Sequence, residues 1–205
     1  MKLYCFPVAP NPTRVRLYLA EKRAAGASIP IEECSVDLRA PEHLRRHPLG
    51  KLPVLELDDG RCLTESLAII ELIEELHPEP PMIGRDPLAR ARARELERQA
   101  ELGVLAPIAQ IVHSTNSPLG LPPNPAVAER FRALLPAALG VLDQVLADGR
   151  AFLAGSAPCV ADCTLAAGLQ FGRFGKVELP AGFLHLRRWD EAYRARAPAR
   201  SVLVV

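Results

Sequence analysis

The sequence lacks long apolar runs and an excess of charge of either sign. Its longest apolar runs, such as 104–109 and 137–142, are far shorter than the roughly 18 residues that a membrane span needs. Lys and Arg number 25 against 24 Asp and Glu, and this balance gives no support for nucleic-acid binding. Pro7, Pro10 and Pro12 interrupt the apolar stretch that a signal peptide would need. We therefore expect a cytoplasmic protein that binds neither nucleic acid nor membranes.

Cysteine is also scarce, with five residues at positions 5, 34, 62, 159 and 163. The number is odd and no C-x-x-C occurs, so neither a disulfide framework nor a zinc knuckle is indicated. His43 with His47, and Cys159 with Cys163, have the i, i+4 spacing that could chelate a metal on one helix face. However, the proline after His47 disfavours helical geometry there, and no third ligand of the same kind lies nearby. We predict no metal site.

The first 77 residues alternate quickly between strand and helix patterns. The periodicity predicts strands at 2–6, 29–38, 53–57 and 61–64, and helices at 13–25 and 66–77. The turn dipeptide Asp59-Gly60 joins the last two strands into a hairpin. The resulting order, β-α-β followed by β-β-α, predicts a small mixed α/β layer and not a doubly wound sheet.

The pattern becomes entirely helical after a proline-rich segment at 78–87, which holds four of the chain's prolines and one glycine. Helices are predicted at 88–113, 126–148, 159–174 and about 183–196, with a polar loop at 114–125. We therefore predict two domains, an α/β domain at 1–78 and an all-α domain at 88–205, joined by the segment 78–87.

Four segments carry a resemblance to a known family. HPLGKLPVLELDDGRCLTESLAIIELIEE (47–75) resembles the central signature of the glutathione transferase superfamily, N-P-x-G-K-V-P-x-L, a hairpin, then E-S-x-A-I. APNPTRVRLYLAEK (9–22) resembles its first loop and helix, and AGSAPCVADCTLAA (154–167) and HLRRWDEAYRAR (185–196) resemble its C-terminal pattern. The resemblance implies a thioredoxin-like domain, a C-terminal helical bundle, glutathione as co-substrate, no metal and a homodimer.

The same resemblance implies a glutathione site. It implies a cis peptide bond before Pro53, with the Leu52 backbone pairing with the cysteinyl unit as a short added strand; the alternative is a trans proline opening an edge strand. Glu65 and Ser66 would bind the ammonium and carboxylate of the γ-glutamyl group at a helix N-terminus; alternatively, Thr64 or Ser66 only caps that helix. Lys51 would reach the glycine carboxylate, unless it is simply a solvated lysine.

The residue that activates the thiol is less obvious, because the Tyr, Ser or Cys of many classes is missing from residues 10–13. Asn11 resembles the asparagine that nu-class and fungal nitrogen-regulator-type transferases use, and an amide N–H can donate to a thiolate. Asn11 and Pro12 also suit the N-cap and N1 positions of a helix. We predict Asn11 as the catalytic residue with Thr13 next, and Cys5 as a core residue.

Other parts of the chain depart from the family pattern or are open to two interpretations. Residues 37–48 are short for the family's second-helix region, and His47 replaces a common Asn. Cys159 replaces the Ser or Thr of a capping box whose Asp162 is retained. Polar residues at the end of the long helix could line a second substrate or could only cap that helix: these are His113, Ser114 and Asn116.

The predicted activity is attack of the glutathione thiolate on an electrophilic small molecule. Glutathione-dependent reduction of a disulfide or peroxide is the near alternative, since it needs no protein cysteine. The third possible function is that of a binding or regulatory protein that keeps the fold but is not catalytic. The S-S-C-x-x-R motif of maleylacetoacetate isomerases is absent, which counts against that branch.

Overall fold

The computed structural model describes residues 1–204. Within them, one sheet contains the strands β1 (Lys2–Tyr4), β2 (Glu32–Cys34), β3 (Val54–Glu56) and β4 (Cys62–Thr64) in the order β2-β1-β3-β4. β2 runs parallel to β1, whereas β3 is antiparallel to both β1 and β4. The helices α1 (Pro10–Ala24), α2 (Pro41–Arg46) and α3 (Ser66–Leu76) lie between and after these strands. This is the predicted thioredoxin-like arrangement.

The rest of the described chain is helical, also as predicted. Its elements are α4 (Pro87–Ala100), a π-helical turn (Glu101–Leu105), α5 (Ala106–Thr115), α6 (Pro125–Val145), α7 (Val160–Phe174), α8 (Leu184–Arg194) and α9 (Ala197–Val202). Residues 160–172 of α7 are all buried, because α1, α4 and α5 pack around this helix. We retain 1–78 and 88–205 as the proposed domains. None of the helices in the described chain is both long and apolar enough to cross a membrane.

Several predicted boundaries were wrong. The helix predicted at 13–25 begins at Pro10, and its N-cap is Ala9 and not Asn11. The strand predicted at 29–38 begins at Glu32 and stops at Cys34, whose carbonyl accepts the last backbone hydrogen bond of this pairing from the Cys5 N–H at 2.9 Å. The helix predicted at 88–113 is divided by the π-helical turn. The short helices α2 and α9 were not predicted, since six residues carry too little periodicity to detect.

A buried ion pair fixes the segment that joins the two halves. The Lys22 ammonium lies 2.6 Å from a Glu74 carboxylate oxygen, and both side chains are almost fully buried. Lys22 also donates to the backbone carbonyls of His77 and Pro80, at 2.6 and 2.8 Å. The other Glu74 oxygen accepts from the backbone N–H of Met82 at 2.9 Å. The joining segment is therefore hydrogen-bonded to α1 and α3 on both sides of its prolines.

The predicted capping box at the start of α7 is present. The fully buried Asp162 accepts from the Cys159 N–H at 2.9 Å, from the Leu153 N–H at 2.9 Å and from the Trp189 indole N–H at 3.0 Å. Burial raises the pKa of Asp162 to about 6, although these donors act to lower it. Asp162 thus ties the start of α7 to the preceding loop and to α8.

We expect Cys159→Ser to stabilise the protein by about 0.5–1 kcal/mol, because a hydroxyl is a better N-cap acceptor than a thiol. Asp162→Ala should lower the free energy of unfolding by at least about 3 kcal/mol, since it leaves three buried donors without an acceptor. Urea denaturation of both variants measures these differences. A serine variant less stable than the parent would mean that Cys159, which is 5 % exposed, contributes mainly through apolar packing.

Candidate functional site

The Leu52 backbone is available for pairing with a ligand. The Leu52–Pro53 peptide bond is cis, as predicted. Neither the N–H nor the C=O of Leu52 has a hydrogen-bond partner among residues 1–204, although β3 begins two residues later. Unpaired backbone groups beside a sheet are the feature that an extended peptide uses when it adds as a short strand.

Glu65 and Ser66 lie at the start of α3, and neither caps the helix through its side chain. Glu65 has φ of 68°, a conformation that L-residues rarely adopt and that is often retained at functional positions. Its carboxylate is exposed and has no partner within the described chain. The alternative interpretation, that the Thr64 or Ser66 side chain caps this helix, finds no side-chain capping bond in the described chain.

Ser66 is 2 % exposed, and its hydroxyl oxygen accepts a hydrogen bond from Arg14 Nε at 2.8 Å. Because a guanidinium can only donate, the Ser66 hydroxyl hydrogen is left free for another acceptor. The first turn of α3 adds a partial positive charge and free N–H groups. Ser66 is thus arranged as a donor, which suits a carboxylate ligand.

The sequence analysis missed Arg14, which connects this site to the helical half. Arg14 is 3 % exposed, and its Nη1 donates to Glu97 at 3.1 Å and to Glu101. Thr164 donates to the same Glu97 oxygen at 3.1 Å. Burial raises the pKa of Glu97, whereas for Glu101 the effect of burial is outweighed by Arg14 and Arg98, and the pKa is lowered. Glu97 and Glu101 share an i, i+4 spacing, but nothing in sequence points to an arginine 83 residues away.

Asn11 lies at the second position of α1 and has no partner among residues 1–204, either at its backbone N–H or at its side-chain amide. Pro10 and Pro12 on either side have no N–H to donate. In the first three positions of α1, Asn11 is consequently the one residue that can offer hydrogen-bond donors to a ligand. The prediction that Asn11 caps the helix was wrong, whereas its role toward a thiol stays a prediction.

Thr13 has a different environment. Its side chain is fully buried, its hydroxyl donates to the Pro7 carbonyl at 3.2 Å, and it accepts from the Gln170 amide at 3.4 Å. A side chain with no exposed surface cannot contact a ligand directly, so we do not retain Thr13 as a thiol-activating residue. Cys5 is buried as predicted, and burial raises the pKa of its thiol to about 11.

The histidines near Lys51 hold the loop before β3. His43 Nε2 lies 3.1 Å from the Lys51 carbonyl oxygen, and His47 Nδ1 accepts from the Leu49 N–H at 3.2 Å. The Lys51 side chain is exposed and has no partner within residues 1–204, so it is available to a ligand carboxylate. Across the same residues, no group of three or more His, Cys, Asp or Glu side chains is placed to hold a metal ion.

The polar residues at the end of α5 do not converge on one point. His113 Nδ1 lies 3.0 Å from the Ser117 hydroxyl, and its ring contacts Phe171 with a centroid separation of 5.7 Å. Burial lowers the pKa of His113, which disfavours the charged form of the ring. Ser114 is buried and Asn116 caps the helix through its backbone. This arrangement favours the structural interpretation of the three residues.

A thioredoxin-like domain with a cis proline beside unpaired backbone, followed by a helical domain, defines a class of two-domain proteins. The chain matches the Glutathione S-transferase N-terminal domain over residues 3–81 and the Glutathione S-transferase C-terminal domain over residues 108–197. It is 32% identical over 211 residues to Glutathione S-transferase 2 of Saccharomyces cerevisiae, covering 100% of this chain and 90% of that protein. The chain therefore belongs to the glutathione transferase superfamily.

Solved structures agree with this assignment. The crystal structure of Gtt2 from Saccharomyces cerevisiae superposes with a TM-score of 0.86 at 31% identity, covering 99% of this chain and 100% of that one. A glutathione S-transferase from Methylobacillus flagellatus, solved with glutathione bound, superposes with a TM-score of 0.84 at 28% identity, covering 100% of this chain and 99% of that one. The likeness thus extends over both halves of the chain.

We expect Arg14→Leu to lower the free energy of unfolding by about 3–5 kcal/mol, because it leaves two carboxylates at the domain boundary without their buried cation. Arg16→Leu is the matched control on the same helix. Arg16 pairs with Glu33 near the surface and should contribute less than about 1 kcal/mol. Equal losses in urea denaturation would show that the buried Arg14 contacts stabilise the protein no more than a surface pair.

Proposed function

We propose that this protein binds glutathione, stabilises its thiolate and transfers it to an electrophilic small molecule. One observation supports this most strongly: an unpaired carboxylate at Glu65 directly precedes the free hydroxyl hydrogen of Ser66 at a helix start. A γ-glutamyl group carries an ammonium and a carboxylate on the same carbon. Adjacent acceptor and donor groups fit that pair of charges.

With the γ-glutamyl group bound at Glu65 and Ser66, the positions of the cysteinyl and glycine units of glutathione can be proposed as well. The cysteinyl unit would pair with the Leu52 backbone beside Pro53, and the glycine carboxylate would lie within reach of the exposed Lys51 ammonium. The six-residue α2 leaves few side chains at the glycine end, so Lys51 is the cation that we assign there. The glutathione bound in the Methylobacillus flagellatus relative supports this ligand.

Asn11 is our proposed thiolate donor. Its side-chain amide and its backbone N–H have no protein partner within residues 1–204, and both lie at the positive end of the α1 dipole. Hydrogen bonds to the charged form favour the thiolate and lower the thiol pKa. The electrophile would approach from the side of the exposed Phe6, between the loop at 7–13 and α5.

Reduction of a small disulfide or peroxide would use the same bound thiolate, and a second glutathione would complete it. The non-catalytic alternative is less well supported, because a purely structural protein has no need for an unpaired Glu65 carboxylate. We further propose that the protein is cytoplasmic and forms a homodimer. Exposed leucines lie on two helices that the Arg94–Glu71 pair holds together: Leu76 on α3 and Leu88 on α4.

We expect Glu65→Gln and Ser66→Ala each to weaken glutathione binding by roughly ten- to a hundredfold, the cost of one charge-assisted hydrogen bond. Isothermal titration calorimetry with glutathione measures the affinity. Glu75→Gln is the control, since it removes an exposed carboxylate from the same helix away from the site and should leave the affinity unchanged. Unchanged affinity in both site variants would place the γ-glutamyl group elsewhere.

Asn11→Ala should raise the apparent thiol pKa of bound glutathione by roughly one to two units, because a hydrogen bond to a charged group is lost. Thiolate absorbance against pH reports the shift. Activity assays on a chloronitrobenzene and on a small disulfide then separate transfer from reduction.

Asn11→Asp is the sharper variant, since it keeps the shape of the side chain and sets a negative charge beside the thiolate. If Asn11 stabilises the thiolate, Asp should be worse than Ala. An Asp variant as active as the parent would remove the Asn11 side chain from the mechanism and leave the role to backbone N–H groups.

A further inference from the structure

A chain of three hydrogen bonds, buried at its middle, connects the C-terminal segment to the first loop. The Val204 N–H donates to Gln170 Oε1 at 2.7 Å, and Gln170 Nε2 donates to Thr13 Oγ1 at 3.4 Å. The Thr13 hydroxyl in turn donates to the Pro7 carbonyl at 3.2 Å. Gln170 and Thr13 are both fully buried. The chain therefore runs from the end of the helical half, through α7 and α1, to the loop before Asn11.

The direction of every bond in this chain is determined by its two ends. A backbone N–H can only donate, so the oxygen of the Gln170 amide must face Val204. The amide nitrogen then faces Thr13, whose hydroxyl accepts this bond and has its own hydrogen left for the Pro7 carbonyl. The Pro7 carbonyl can only accept, so the Thr13 hydroxyl must donate to it, which is the same direction that the Val204 N–H imposes from the other end. The Gln170 amide and the Thr13 hydroxyl can therefore make all of these hydrogen bonds in one orientation only.

The last bond of this chain joins the first turn of α1, which contains Asn11, to the loop before that helix. The loop has few other contacts: Phe6 is 54 % exposed, Pro7 is exposed, Val8 is partly buried against the core, and the Ala9 N–H makes a 3.2 Å turn bond to the Phe6 carbonyl. Pro10 and Pro12 contribute no N–H groups that could fix it further. Within residues 1–204, the Thr13 hydroxyl is therefore the side chain that connects this loop to the buried core by a hydrogen bond.

We infer that Gln170 and Thr13 are positioning residues, which set the conformation of the segment 7–13 and through it the position of Asn11. Apolar side chains would fill the same buried space without needing hydrogen-bond partners, so packing alone does not explain a polar pair there. The inference rests on the proposed function only in that Asn11 is taken to face the thiol. Gln170 lies on α7, in the helical half of the molecule, so a residue of that half sets the position of the Asn11 amide that donates to glutathione.

The central experiment compares Thr13→Val with Thr13→Ser. Valine keeps the shape and removes the hydroxyl, whereas serine keeps the hydroxyl. Gln170→Glu is the companion variant, because a carboxylate cannot donate to Thr13 and would draw its hydroxyl hydrogen away from Pro7. If the buried charge of Gln170→Glu prevents folding, Gln170→Met replaces it, because methionine also cannot donate to Thr13 and is uncharged. Leu142→Ala, a core truncation in α6, is the control for a general loss of stability.

Amide hydrogen exchange of Ala9 in the ligand-free protein is the first measurement. Exchange should be about three- to tenfold faster in Thr13→Val and in the Gln170 variants, and at the parent rate in Thr13→Ser and Leu142→Ala. Parent-like exchange in Thr13→Val would overturn the inference. This measurement needs no glutathione, so it judges the hydrogen-bond chain even if the parent fails to bind glutathione and the proposed function is wrong.

Glutathione titrations of the same variants are the second measurement. The thiol pKa of the bound glutathione should rise and kcat should fall in Thr13→Val, while KM for glutathione stays within about twofold, because the γ-glutamyl contacts are not altered. Thr13→Ser should restore both. Faster loop exchange without a change in thiol pKa, in a protein whose parent form does lower that pKa, would show that the chain stabilises the loop but does not position Asn11.

Discussion

The buried guanidinium of Arg14 is the contact on which the site and the domain arrangement both depend. On one side it donates to Ser66, and on the other it neutralises Glu97 and Glu101. A buried carboxylate is costly unless a cation with good geometry accompanies it, and Arg14 is the buried cation beside Glu97, while the more exposed Arg98 contacts both carboxylates from the other side. The same contact orients the Ser66 hydroxyl toward a ligand. One side chain thus links the assembly of the domains to the chemistry at their boundary.

The first turn of α1 shows how a helix start can be limited to a few donors. An ordinary helix offers several free N–H groups at its N-terminus, and these would solvate a thiolate without any special side chain. Pro10 and Pro12 remove two of them, which concentrates the remaining donors on Asn11. Under the proposed function, the missing Tyr, Ser or Cys would be replaced by Asn11 as the donor to the thiolate, and the helix dipole would still favour the charged sulfur.

The sequence allowed prediction of those parts of the fold that short patterns specify. The hairpin around Asp59-Gly60, the helix α7 and the cis bond before Pro53 were predicted correctly, since local periodicity or a contiguous motif indicated each of them. The contacts of Arg14 and Gln170 could not be predicted, because their partners lie 34 to 157 residues away and sequence spacing carries no trace of them. The start of α1 was misjudged because Asn-Pro and Ala-Pro are both plausible helix starts, and only tertiary packing selects between them.

The Lys22–Glu74 pair has a consequence for how the molecule unfolds. A segment rich in prolines between two domains usually permits independent motion, yet here its carbonyls and N–H groups are held by buried charges on α1 and α3. Separating the halves would expose both an ammonium and a carboxylate from the core of the first domain. Melting of the α/β layer and melting of the helical bundle should then occur as one cooperative transition, so neither half is a freestanding folding unit.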